Sequence, residues 1–129
     1  MAESSGQCVL VVDDDPIILD ALCSLLQTKG FEAPGACCAD EAIALLDHGL
    51  EPDAILTDLT MPGRSGEDLV DHVRACPRTA GTVVVAMSAC RRTLVELRPE
   101  VDGRLLKPFG FPALLEALAR AWAMHPLPR

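Results

Sequence analysis

The chain has 129 residues, half of them hydrophobic, and a formal net charge of -8, with 19 acidic side chains against 11 basic ones. That length supports one domain with a real core, read here as a single unit over residues 1–129 with an ordered core of about residues 7–124. The acidic balance argues against a nucleic-acid surface and for cations or basic partners, and no apolar stretch reaches bilayer length, so membrane insertion is not expected.

Short apolar runs alternate with longer stretches of helical period, the pattern of a parallel sheet with crossover helices. The first strand is read at Cys8 to Val12 and runs straight into Asp13, Asp14 and Asp15. Like charges this close disfavour one another's ionisation unless a cation sits among them. Pro16, tolerated in a first turn, opens helix one, which continues to about Lys29 before Gly30. Its inward stripe is read as Ile18, Ala21, Leu22, Leu25 and Leu26, which leaves Ile17 in solvent beside the acidic run. A weak second strand, roughly Glu32 to Gly35, leads to helix two at about Ala39 to Asp47. Strand three, Ala54 to Thr57, delivers Asp58 at its carboxyl end, and helix three takes about Gly66 to Ala75 before Pro77. Met61, Pro62 and Gly63 read as loop-shaping residues, and Gly66 as a loop-to-helix junction. Strand four is Thr82 to Met87, followed by Ser88. Thr93 to Leu97 makes a short helix at best, cut off by Pro99; strand five is about Arg104 to Leu106, followed by Lys107. The last helix runs from Pro112 to Met124, and His125 to Arg129 is a tail with two prolines.

The six cysteines show no C-x-x-C spacing, and adjacent Cys37 and Cys38 make a poor structural zinc pair, so reduced structural thiols are expected. His48, His72 and His125 are scattered and read as surface residues. The N-terminal MAESSGQ has neither a basic nor an apolar leader region, so the expected location is cytoplasmic.

In an open parallel sheet, ligands bind at the carboxyl ends of the strands. Directly after the strands come Asp13 and Asp14, then Asp58, then Ser88, then Lys107: three carboxylates, a hydroxyl and an amine on one edge. Clustered carboxylates suit a hard divalent cation such as Mg2+, which keeps several waters and takes one or two acidic ligands plus phosphate oxygens. A remaining carboxylate can act as nucleophile and form an aspartyl phosphate, with Ser88 and Lys107 donating to the transferred oxygens. Each residue alone has a bland reading. An Asp run beside proline is usually a solvated turn, and Asp15 is read that way; Ser88 could be a backbone-bonding hydroxyl and Lys107 an exposed lysine. Only the joint placement overturns those readings.

The segments VLVVDDD, ILTDLTMPGRSG, VVVAMSA and LLKPF, in that order, resemble the signature segments of response-regulator receiver domains of two-component signalling. The resemblance covers nearly the whole chain. It implies a flavodoxin-like doubly wound (βα)5 fold with five parallel strands in the order 2-1-3-4-5. It makes Asp58 the phosphoacceptor, Asp14 the direct Mg2+ ligand, Asp13 the holder of a metal-bound water, and the backbone carbonyl of Thr60 a further ligand. Ser88 and Lys107 match the hydroxyl and lysine that contact the phosphoryl group, and the Lys107-Pro108 peptide is expected to be cis. The implied donor is a phosphohistidine on a histidine kinase or histidine phosphotransfer protein, and the implied readout is an unidentified output protein. Ile17 could contribute to docking such a donor, since that family surface includes helix one. The chain would not be an enzyme in its own right, though it would assist its own phosphorylation and dephosphorylation.

Departures from the family pattern are informative. The position three before the lysine usually carries an aromatic, and here it is Arg104; the chain has no tyrosine at all. The stretch from Ser88 to Lys107 is short and contains Pro99, so a short or irregular fourth helix is expected, with an output surface that does not use an aromatic rotamer. Met1 and the short tail favour a stand-alone receiver or phosphorelay intermediate. The alternatives are a receiver module of a larger hybrid histidine kinase with atypical output, and a flavodoxin-like metal-dependent hydrolase, which would need an added general base or substrate pocket, and no histidine falls at the proposed edge.

Overall fold

The computed structural model describes residues 7–124. Five strands alternate with five helices: β1 (Val9–Val12), α1 (Pro16–Thr28), β2 (Gly35–Ala36), α2 (Ala39–Asp47), β3 (Ala54–Asp58), α3 (Gly66–Ala75), β4 (Val83–Ser88), α4 (Arg91–Val95), β5 (Gly103–Leu106) and α5 (Phe111–Ala123). All strand pairs are parallel, as the sequence pattern predicts, and their order is β2-β1-β3-β4-β5, as the family resemblance implies. Strands β1, β3 and β4 are buried along their whole length, which is why they read as continuous apolar runs rather than alternating ones. Alternate residues nevertheless serve opposite layers. Val9, Val11, Leu56 and Val85 pack with Leu22 and Leu26 of α1 and Leu114 and Leu118 of α5. Leu10, Val12, Ile55 and Val84 pack with Leu46 of α2 and Leu69 and Val73 of α3. A smaller cluster of Leu59, Ala86, Leu94 and Leu97 seats α4.

Several expectations are corrected. The inward side of α1 is Leu19, Leu22, Cys23 and Leu26, whereas Ile18, Ala21 and Leu25 are exposed. Helix one is apolar on two adjacent rows, so its periodicity admits two phases, and the one observed is a shift of about one residue. Ile17 is 79 % exposed, as expected. The ladder of β2 covers only Gly35–Ala36, with Cys8 and Glu32 forming an isolated bridge upstream. Pro34 lies between them and has no N–H to continue the ladder, although its carbonyl accepts from Val11 N at 2.9 Å. The short α4 begins two residues before the predicted Thr93, and Leu97 lies beyond it, buried against β4. His72 keeps a partly exposed side chain, as read, and its Nε2 sits 3.1 Å from the Asp47 carboxylate. Asp15 has a defined job: it caps α1, accepting from Ile17 N at 2.9 Å and Ile18 N at 3.3 Å. All six cysteines are free thiols, with Cys37 and Cys90 exposed. His125 and the tail lie outside the described residues.

Candidate functional site

Parallel register brings the strand ends to one edge. Val12 pairs with Thr57, Asp58 with Met87, and Ser88 with Leu106, so Asp13, Asp58, Ser88 and Lys107 emerge side by side. Lys107 joins them: its Nζ donates to Asp13 Oδ2 at 2.8 Å and to Asp58 Oδ2 at 3.3 Å. The lysine is held in place by its own backbone, whose N–H donates to Ser88 O at 2.8 Å, and the Lys107-Pro108 peptide is cis. Asp13 is fully buried, with its other oxygen accepting from Asp15 N at 2.9 Å. Ser88 is buried too, and its Oγ accepts from Cys90 N at 3.0 Å, which leaves the hydroxyl proton available. Asp58, Thr60, Ser88, Ala89, Cys90 and Lys107 line one cleft at this edge.

Burial pushes the Asp58 carboxyl up, the Lys107 ammonium pulls it down, and the Asp13 charge pushes it up again; the net direction is upward. For Lys107 burial disfavours the charge, yet the hydrogen bond to Asp13 and the charges of Asp58 and Asp13 outweigh it and hold the ammonium above its usual range. One cation thus serves two buried carboxylates, with the exposed Asp14 beside them.

Carboxylate oxygens of Asp13, Asp14 and Asp58 lie within 4.8 Å of one another. A donor set made only of hard oxygens, carrying more negative charge than Lys107 offsets, fits Mg2+ far better than a thiophilic ion. The excess charge has a measurable consequence. Because the folded-state value of Asp58 is raised, its contribution to metal-free stability is present below the ordinary carboxylate range and lost as pH rises through the raised value. Asp58→Asn is therefore expected to stabilise the metal-free protein at neutral pH, by on the order of 1 kcal/mol, with Lys107 still paired to Asp13. Urea midpoints in chelator measure this, and a lower midpoint for the variant would contradict it.

Two residues that sequence reasoning undervalued shape the site. Gly66, read as a mere junction, is buried at the start of α3 and donates its N–H to Leu59 O at 3.1 Å; a Cβ there would stand 2.8 Å from Leu59 Cα. The helix it opens is locked by a capping box in which Ser65 Oγ accepts from Asp68 N at 3.1 Å and Asp68 Oδ2 from Ser65 N at 3.2 Å. Arg104 donates from Nε to Leu94 O at 2.9 Å and so ties β5 to α4. Only the S-x-x-D spacing of Ser65 and Asp68 carried a local signal.

The response regulator receiver domain model matches residues 9–119. The positive alginate biosynthesis regulatory protein of Pseudomonas aeruginosa is 35 % identical over 117 residues, covering 88 % of this chain and 46 % of that protein. The DNA-binding response regulator MtrA of Mycolicibacterium smegmatis is 33 % identical over 122 residues, 92 % of this chain and 51 % of that protein. The chain thus spans about half the length of these curated relatives. Among solved structures, the response regulator TrrA of Thermotoga maritima in complex with Mg2+-BeF superposes with a TM-score of 0.78 at 27 % identity, covering 89 % of this chain and 98 % of that one. A sensor protein from Polaromonas superposes with a TM-score of 0.83 at 28 % identity, covering 92 % and 97 %. No helix among the described residues is long and apolar enough to cross a membrane.

Proposed function

Because this chain belongs to the response-regulator receiver-domain family, we propose that Asp58 accepts a phosphoryl group from a phosphohistidine donor and that the resulting acyl phosphate signals through protein binding or onward relay. The observation that carries the proposal is the reach of Lys107 Nζ to both Asp13 and Asp58 at the sheet's carboxyl edge. Asp58 supplies the attacking carboxylate oxygen, in line with the leaving nitrogen. Its charge, disfavoured by burial, is relieved as the new P–O bond forms. Lys107 exchanges its contact with Asp58 for the phosphoryl oxygens while remaining anchored on Asp13, and Ser88 turns its free hydroxyl proton toward the same oxygens. Asp13, Asp14 and the Thr60 carbonyl, with Asp58, would hold Mg2+, which when bound supplies positive charge to the equatorial oxygens. The chain acts as a stoichiometric acceptor assisting its own phosphorylation and dephosphorylation.

The donor is a histidine kinase or histidine phosphotransfer protein, and exposed Ile17 and Ile18 in the first turn of α1, next to Asp15, support docking of its helical surface. Output runs to a partner protein through a surface where Arg104 stands in place of an aromatic. A second reading, a receiver module within a larger sensor kinase, is supported by the likeness to the Polaromonas sensor protein. The chemistry is tested by incubating the chain with Mg2+ and acetyl phosphate and measuring intact mass. One phosphoryl adduct is expected, absent in Asp58→Ala; an unmodified parent, or equal labelling of the variant, would count against Asp58 as acceptor.

A further inference from the structure

We propose that Cys37, Cys38 and Glu41 form a second cation site, for a thiophilic divalent ion such as Zn2+ or Cd2+, distinct from the acidic cluster. The two thiol sulfurs and a Glu41 carboxylate oxygen lie within 4.8 Å of one another, a triad as compact as that of Asp13, Asp14 and Asp58. The two sets differ in softness. Oxygen donors alone select Mg2+, while two thiolates with one carboxylate select Zn2+ or Cd2+, so each ion has its own place on the molecule.

Local structure already aims these donors. The chain leaves β2 at Ala36 and turns through Cys37 and Cys38 into α2, with Cys38 extended at φ -160° and ψ 167° as the helix cap. Cys38 Sγ accepts from Glu41 N at 3.4 Å, and Glu41 Oε1 accepts from Cys37 N at 2.8 Å. Sulfur is a weak acceptor at a position where Ser, Thr, Asp or Asn caps well, so capping alone does not account for a thiol there. The Cys37 thiol also hydrogen-bonds the Glu41 carboxylate, so the sulfur and the carboxylate oxygens face the same point. Cys37 and Glu41 are exposed and Cys38 half-buried, so solvent can fill the remaining coordination positions. That makes an open, exchangeable site rather than a closed structural one, which is consistent with the vicinal pair being ill suited to structural zinc. Binding forms two metal–sulfur bonds and releases the two thiol protons to solvent, while Glu41 can ligate through its second oxygen and keep its bond to Cys37 N.

The test is a Cd2+ titration of the full chain in excess Mg2+, followed by thiolate-to-metal charge-transfer absorption in the ultraviolet, with far-ultraviolet circular dichroism verifying that each variant folds. One Cd2+ per chain is expected, unchanged in Asp14→Ala. Cys37→Ser and Cys38→Ser should each weaken binding at least about tenfold, and Glu41→Gln by less. Absorption that persists in the Cys37→Ser/Cys38→Ser double variant would assign the ion to the other four thiols and overturn the proposal. Loss of binding in Asp14→Ala, or no absorption in the parent, would overturn it too. None of these outcomes depends on Asp58 phosphorylation.

Discussion

Lys107→Ala is expected to slow phosphoryl transfer from acetyl phosphate to Asp58 by about 10²–10³-fold, the range seen when one preorganised donor to developing oxygen charge is removed. Lys107 spans two carboxylates and follows directly on the end of β5, so in the proposed transfer it stays anchored on Asp13 and only its Asp58 contact changes. The same substitution leaves buried Asp13 and Asp58 without their shared cation. Breaking a buried ion pair from one side costs about 3–5 kcal/mol, and the 18 % exposure of the lysine side chain places the expected loss at about 3 kcal/mol or less. The two effects separate experimentally: saturating Mg2+ should recover stability by screening the carboxylates, but not the rate. The pH dependence comes from the raised lysine value. Its contribution is fully present below the ordinary lysine range and lost as pH rises through the raised folded value, so the parent should lose stability at alkaline pH in a step that the variant lacks. Quenched-flow labelling and urea titrations read the two quantities, and a rate within tenfold of the parent in saturating Mg2+ would remove Lys107 from the transfer step.

Legibility divided along physical lines. The strands β1, β3 and β4 were readable because burial on both faces leaves an unbroken apolar run, and their carboxyl ends then pointed to Asp13, Asp58 and Ser88 with no further assumption. The phase of α1 was not readable, because Ile18, Ala21 and Leu25 continue an apolar row next to the true one; burial, not composition, separates them. Pro34 was in plain view as an obstacle to β2, and its effect was to shorten the ladder to Gly35–Ala36.

Contacts that depend on distant backbone carbonyls leave no local signature at all. Arg74 donates to Ala80 O at 2.9 Å and Thr82 O at 2.6 Å and pairs with Asp102 at 3.2 Å, fastening α3 to the amino end of β4 and to the approach to β5. Nothing in its neighbourhood in sequence marks it. Arg104 was legible only as a departure from an expected aromatic; that it reaches the Leu94 carbonyl needed the fold. This bond gives the short α4 a polar tether on β5 in addition to the apolar seat of Leu94 and Leu97.

Gly66→Ala should cost about 3 kcal/mol and slow Asp58 labelling by up to about 10²-fold, an effect on rate from a residue with no reactive group. A Cβ at Gly66 would lie 2.8 Å from Leu59 Cα and closer still to the Asp58 carbonyl oxygen, and both obstacles are backbone atoms that no rotamer change can clear. Relief requires moving either α3, fixed by its capping box and by buried Leu69, Val70 and Val73, or the segment Asp58–Leu59, which is tied to β4 through Leu59 N and Met87 O at 3.0 Å. The second displaces the Asp58 carboxylate from Lys107, and a shift of about 1 Å suffices to cost the rate. Gly81→Ala is the matched control: nothing stands within 4 Å of its Cβ position, so its effect should stay within about 0.5 kcal/mol. If Gly66→Ala behaved like Gly81→Ala in urea midpoint and labelling rate, close backbone approach would not be what places Asp58.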